Sequence, residues 1–116
     1  MNQIGEIIQI ETITKNCRNL DPNELMQLLK SDINVFWSWG VEKLIIDSKS
    51  NTKMLRLTVN GHHHKGHVFI FLNGLDLFDV YLTSRTGKIK TIIEGLYFDQ
   101  LVDWIDEKIE KIPAYN

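Results

Sequence analysis

Residues His67 to Ser84 read H-V-F-I-F-L-N-G-L-D-L-F-D-V-Y-L-T-S, the densest apolar stretch of the chain. Apolar residues recur in it with a period of about two, not the roughly 3.6 of a helix, so it predicts strands. Asn73-Gly74 divides the stretch, and this pair accepts the positive φ angles that the tight turn of a β-hairpin needs. Whether the loop is the pair Asn73-Gly74 or the longer Asn73 to Asp76, Phe69 and Phe71 fall on one face with Phe78, Val80 and Leu82. That aromatic face is the expected core.

Outward from the hairpin, the upstream sequence predicts a strand over Val41 to Asp47 and a polar turn over Ser48 to Thr52. A second strand follows over Lys53 to Asn60, with Leu55, Leu57 and Val59 on one face, and then a loop over Gly61 to Gly66. Downstream, Arg85-Thr86-Gly87-Lys88 turns the chain into a strand over Ile89 to Glu94, with Ile89 and Ile93 expected to share a face. Connections this short imply an antiparallel meander. Phe98, Leu101, Val102, Ile105, Ile109 and Ile112 then follow a helical period. They leave Asp99, Asp103, Asp106, Glu107 and Glu110 largely toward solvent, and Pro113 closes the helix. Such a helix covers the apolar face of a sheet.

Toward the N-terminus, Leu20-Asp21-Pro22-Asn23-Glu24-Leu25 combines an Asp N-cap, Pro in the first helical position and a Leu20/Leu25 staple. A short helix over Pro22 to Lys30 is expected. In residues 1 to 16, Ile4, Ile7 and Ile8 have helical spacing, but the β-branched run around them favours a strand. The expected fold class is α+β, in one domain spanning 1–116. It has a four- to five-stranded antiparallel meander, a short helix in the N-terminal half and a C-terminal amphipathic helix on one face.

The chain of 116 residues has ordinary globular composition, with 43% hydrophobic and 24% charged residues. No apolar run reaches the roughly 20 residues of a membrane span, and the first residues lack the order of a signal peptide. With a single cysteine, Cys17, the expectation is a soluble protein of the reducing cytoplasm. The net charge of −2 is unevenly spread: residues 42 to 94 carry eight basic and five acidic side chains, whereas both ends are acidic. The bland reading is an acidic helix beside a Lys-rich sheet; the sharper one is a charge dipole that steers a partner.

Chemistry is sparse. His62, His63, His64 and His67 form a glycine-bounded imidazole cluster, but consecutive loop histidines do not converge on one ion, so no metal or other cofactor is expected. Asp76 reads as a turn residue. Asp79 should share a face with Tyr81, opposite Phe78 and Val80, as a polar exterior position. Cys17 has an arginine beside it and no histidine nearby in sequence, a weak pattern for a nucleophile. Phosphate-loop and nucleophile-elbow patterns are absent, and the expectation is binding, not catalysis. Trp37 and Trp39 share a face if their segment is extended, as a cap on the core or as an exposed hot spot.

Phe71-Leu72-Asn73-Gly74-Leu75-Asp76-Leu77-Phe78-Asp79-Val80, followed by Glu94-Gly95-Leu96-Tyr97-Phe98-Asp99-Gln100-Leu101, resembles a family of small proteins of bacterial phages and integrated mobile elements. The hallmark of that family is an L-N-G-x-D-x-Y-D-V-like hairpin and a G-V-Y-x-x-x-L helix start. This chain has Phe78 where the family often has tyrosine and Leu96 where it often has valine, and the likeness extends from about Trp37 onward. The family carries no assigned catalytic residues. What the resemblance implies is a non-enzymatic inhibitor, anti-CRISPR-like, that binds a bacterial protein or ribonucleoprotein such as a CRISPR effector nuclease. Its expected contacts are Trp37, Trp39, His62, His63, His64, Lys65 and His67. The alternative is an RNA-binding module using Lys53, Arg56, Lys65, Arg85, Lys88 and Lys90. A third reading is self-assembly through an open sheet edge.

Overall fold

The computed structural model describes residues 4–46, 53–61 and 64–109. The expected turn over Ser48 to Thr52, the side chains of His62 and His63, and the Ile112-Pro113 close of the last helix lie outside the described residues. Strands β1 (Val41–Ile46), β2 (Met54–Asn60), β3 (Lys65–Leu72), β4 (Phe78–Thr83) and β5 (Ile89–Leu96) form one sheet in that order. All four pairings are antiparallel, the meander that the short connections require. Helices α1 (Ile10–Thr14), α2 (Pro22–Leu29) and α3 (Ile33–Ser38) precede the sheet, and α4 (Leu101–Ile109) follows it. The fold is α+β, and among the described residues no helix is long and apolar enough to cross a membrane.

The hairpin loop is one residue longer than the longer expectation, and this reassigns every side chain in it. Leu72 pairs with Phe78, Ile70 with Val80 and Phe69 with Tyr81, leaving Asn73 to Leu77 as the loop. Asn73 builds that loop: its Oδ1 accepts from Leu75 N at 2.8 Å and from Leu77 N at 3.2 Å. Asp76, not Gly74, takes the positive φ, at 62°. Because side chains alternate along a strand, a shift of one residue exchanges the faces. Phe69 and Phe71 therefore do not join Phe78, Val80 and Leu82; the hairpin feeds two cores.

The larger core joins Leu55, Leu57, Val59, Val68, Ile70, Phe78, Val80 and Leu82 to the apolar sides of α2, α3 and α4. Leu101, Ile105 and Ile109 of α4 are fully buried there, so the C-terminal helix covers this face as its periodicity predicts. The smaller core gathers Met54, Phe69, Phe71, Tyr81 and Ile89 under Ile8. Each fully buried large apolar side chain contributes about 1.5–3 kcal/mol through removal from water. The N-terminal segment over this face is not the strand favoured from sequence. Glu6 to Ile8 only bridges the start of β5, with Ile89 N donating to Glu6 O at 2.8 Å, and the chain then turns into α1. Ile10 and Ile13, three apart, pack against this core from α1, whereas Ile4, Ile7 and Ile8, whose spacing also suits a helix, all lie before it.

α2 starts as expected: Asp21 Oδ1 accepts from Asn23 N and Glu24 N at 3.0 and 3.2 Å. Leu20 and Leu25 are both buried. α3 is a departure from the extended segment considered for Val35 to Gly40. Asp32 caps it, accepting from Asn34 N and Val35 N at 3.2 and 3.3 Å. Gly40, at φ 64°, ends it in the left-handed region and lets β1 begin; a Cβ there would lie 2.6 Å from Asn60 O. In β5 the pairing with β4 slips twice, and the slip at Leu82/Thr83 separates Ile89, in the smaller core, from Ile93, which packs on the larger one.

Candidate functional site

The two tryptophans do not act as a pair. On a helix, neighbours two apart point to different sides, and α3 places Trp37 at 68% exposure while Trp39 is 0% exposed. Trp39 is a core residue: its ring lies 5.5 Å from that of Phe36, and its Nε1 donates to Asp106 Oδ1 at 3.0 Å. Asp106 is thus half-buried and engaged, not one of the solvated carboxylates of α4. Trp37 shares its helical face with Ile33, one turn earlier and 40% exposed, so α3 shows solvent an apolar stripe. The helix is held from behind by Phe36 and Trp39. Beside it runs β1, whose outer edge pairs with no strand among the described residues.

The histidines divide in the same way. His64 is buried and engages His67 O through Nε2 at 3.3 Å. Burial, ahead of the neighbouring charges, pulls its pKa below the usual histidine value. His67 sits between strands: Nε2 lies 3.1 Å from Arg85 O and Nδ1 lies 2.9 Å from Thr58 Oγ1. A carbonyl can only accept, so Nε2 carries the proton and Nδ1 accepts from the threonine hydroxyl. Burial first, then the charge of Arg56, keeps His67 below its usual pKa, with Arg85 and Lys43 acting the same way. Both histidines are engaged by the fold itself, His64 just before β3 and His67 within it. Among the described residues no group of three or more His, Cys, Asp or Glu side chains could hold a metal ion.

Of the basic residues expected to contact RNA, Arg56 and Arg85 do come together, around His67. Lys43 joins them because it pairs with Thr58 and so shares their face, a consequence of register that sequence spacing alone did not reveal. Lys65, two residues before His67, is exposed on the same side. Arg85 donates to Glu42 Oε1 at 3.2 Å, whereas Arg56 Nε is buried with no hydrogen-bond partner among the described residues. The remaining cations are elsewhere: Lys53 acts on Cys17, Lys90 acts on His64, and Lys88 is exposed beside the bridge to Ile7.

Asp79 is the largest surprise. It does share a face with Tyr81, opposite Phe78 and Val80, but it is 8% exposed and not an exterior position. Its Oδ1 accepts from Asn73 Nδ2 at 2.9 Å and from Gly95 N at 3.0 Å. The slip between β4 and β5 makes the second bond: two residues of β5 oppose Asp79, and Gly95, at φ 77°, turns its N–H inward. Comparison of the chain with protein-family models, curated proteins and solved structures finds no match.

Proposed function

We propose that this protein is a non-catalytic binding module that seats a protein partner on the exposed stripe of α3. The observation that carries the reading is Trp37, the exposed tryptophan of α3, standing with Ile33 on a helix already fixed by Phe36 and Trp39. A large, pre-positioned aromatic side chain loses little freedom on binding, which is why Trp dominates interface hot spots. Taken with the resemblance of residues 71 to 101 to phage and mobile-element proteins, the proposed partner is a bacterial defence nuclease complex in the cytoplasm, which the protein would bind and inhibit. The test adds the purified protein to a guide-RNA-directed bacterial nuclease and follows cleavage of its target. Inhibition by the native protein that Trp37→Ala removes supports the reading; equal inhibition by both, or none by either across such nucleases, refutes it.

A second reading has its own observation, the grouping of Arg56, Arg85 and Lys43 around His67. In it, this patch meets RNA phosphates. It predicts affinity that falls steeply with salt, with a shallower slope for the Arg56→Ala, Arg85→Ala double variant. RNA binding that is absent, or indifferent to salt, removes it.

A further inference from the structure

A cleft of about 440 Å³ opens between α1 and the β4–β5 pair, on the face of the sheet opposite α3; Cys17, Asn73, Asp79, Tyr81 and Glu94 line it. Ile13 and Ile92 supply apolar walls. The side chains in it are unusual for a surface hollow. Asp79 is almost wholly buried and spends one carboxylate oxygen, Oδ1, on the backbone of β5 and on Asn73. Tyr81 is 6% exposed, yet its hydroxyl finds no hydrogen-bond partner among the described residues and is not sealed in, so it faces the cleft. A phenol this deep normally has a partner.

The charge of the cleft is negative. Burial, then Glu94, then Asp79 push the Tyr81 phenol up to about 12, so it stays neutral. Burial, then Asp79, lift the Cys17 thiol above its ordinary value, with Lys53 in partial opposition. The thiol is therefore protonated at neutral pH and not poised as a nucleophile. Two carboxylates and a free hydroxyl ask for a positive, hydrogen-bond-donating guest. A metal ion does not meet the geometry, since no ligand group of the needed kind converges among the described residues. The volume and the apolar walls instead suit a group with a short carbon stem.

We propose that this cleft binds an organic cation, a primary ammonium or guanidinium group, with Asp79 and Glu94 as counter-charges and the Tyr81 hydroxyl as an added acceptor. The cation reaches the cleft either as a free small amine or as the side chain of a basic residue on a partner; its chemistry is the same. The site is independent of the α3 stripe.

Cys17 is the chain's one cysteine, so its alkylation rate reads occupancy of the cleft directly. Agmatine, titrated at constant ionic strength, should slow alkylation saturably, and the uncharged analogue pentanol should not. Glu94 is exposed and removed from both cores, so Glu94→Gln folds; it should weaken the protection about tenfold, the usual loss for a charged hydrogen bond. Asp79→Asn, which keeps the Oδ1 acceptor, and Tyr81→Phe should each weaken it as well. A blocked Gly-Arg-Gly peptide run in parallel separates the sources: protection by the peptide equal to that by agmatine assigns a partner's side chain, and protection by agmatine alone assigns a free amine. If neither protects beyond sodium chloride, or if Glu94→Gln and Asp79→Asn are protected like the native protein, the proposal is wrong.

Discussion

Truncating the two tryptophans separately should give opposite results, although they lie two residues apart. Trp39 is fully buried against Phe36 and donates to Asp106 at 3.0 Å. Removing a buried Trp ring costs about 3–5 kcal/mol through lost contacts and the cavity left behind. Trp39→Ala also strips a half-buried carboxylate of its donor, which adds about 1–3 kcal/mol. Against a total stability of about 5–15 kcal/mol for a domain of this size, Trp39→Ala brings the chain close to unfolding at room temperature. The more measurable Trp39→Phe keeps most of the ring and loses the N–H, so it should cost about 1.5–3 kcal/mol. At this chain length that lowers Tm by roughly 6–15 °C. Trp37→Ala, on the solvent side of the same helix, should stay within about 0.5 kcal/mol of the native protein. Urea unfolding followed by far-ultraviolet circular dichroism measures all three, with unchanged m-values licensing the comparison. A Trp37→Ala loss comparable to that of Trp39→Phe, or a Trp39→Phe loss under about 0.5 kcal/mol, would refute this assignment of core and surface.

Three further outcomes are expected. Gly40→Ala forces a left-handed φ on alanine and drives its Cβ into Asn60 O, and should lower stability by about 1–3 kcal/mol in the same unfolding assay. His64 and His67 have folded pKa values below the unfolded value near 6.5, so the unfolded chain binds more protons in the window below it. Stability is therefore full above that value and falls as pH drops through the window, and His64→Gln should flatten the slope in urea titrations from pH 7.5 down to pH 5. In a phenolate titration read by ultraviolet absorbance, Tyr81→Phe should delete a step near pH 12; a profile that keeps this step would show that Tyr81 is not shielded as its surroundings require.

The strands were legible because the local signals and the tertiary demand agree. Leu55, Leu57 and Val59 alternate in sequence and are all buried on one face, and Leu101, Ile105 and Ile109 carry a period that only a helix can satisfy, whereas Phe98, expected on the same stripe, lies in the turn before α4 and is exposed. The cap at Asp21 is a local arrangement and was readable for the same reason. Sequence and structure part where one residue of register or one cap decides the outcome. Asn73-Gly74 announces a tight turn, but Asn73 closes a five-residue loop with its own side chain, and that single slip sends Phe69 and Phe71 to the second core. Asp32 and Gly40 bracket a helix too short to show a period, so the tryptophans looked extended.

Asp79 looked exterior because a sheet face opposite a core is solvated by default. The N-terminal segment and α1 fold back over that face, and the slip in β5 turns the Gly95 N–H onto the carboxylate; nothing near Asp79 in sequence foretells either. The basic cluster is half legible in sequence: Arg56 and Arg85 belong to the expected cations, whereas Lys43 enters it through the pairing of β1 with β2.

The most direct test is affinity capture from bacterial lysate with immobilised native protein and Trp37→Ala, each split into nuclease-treated and untreated halves and analysed by mass spectrometry. The account predicts one protein held by the native bait at near-equal stoichiometry, unchanged by nuclease and lost with Trp37→Ala. Capture that survives Trp37→Ala, or that disappears with the nucleic acid, would contradict it.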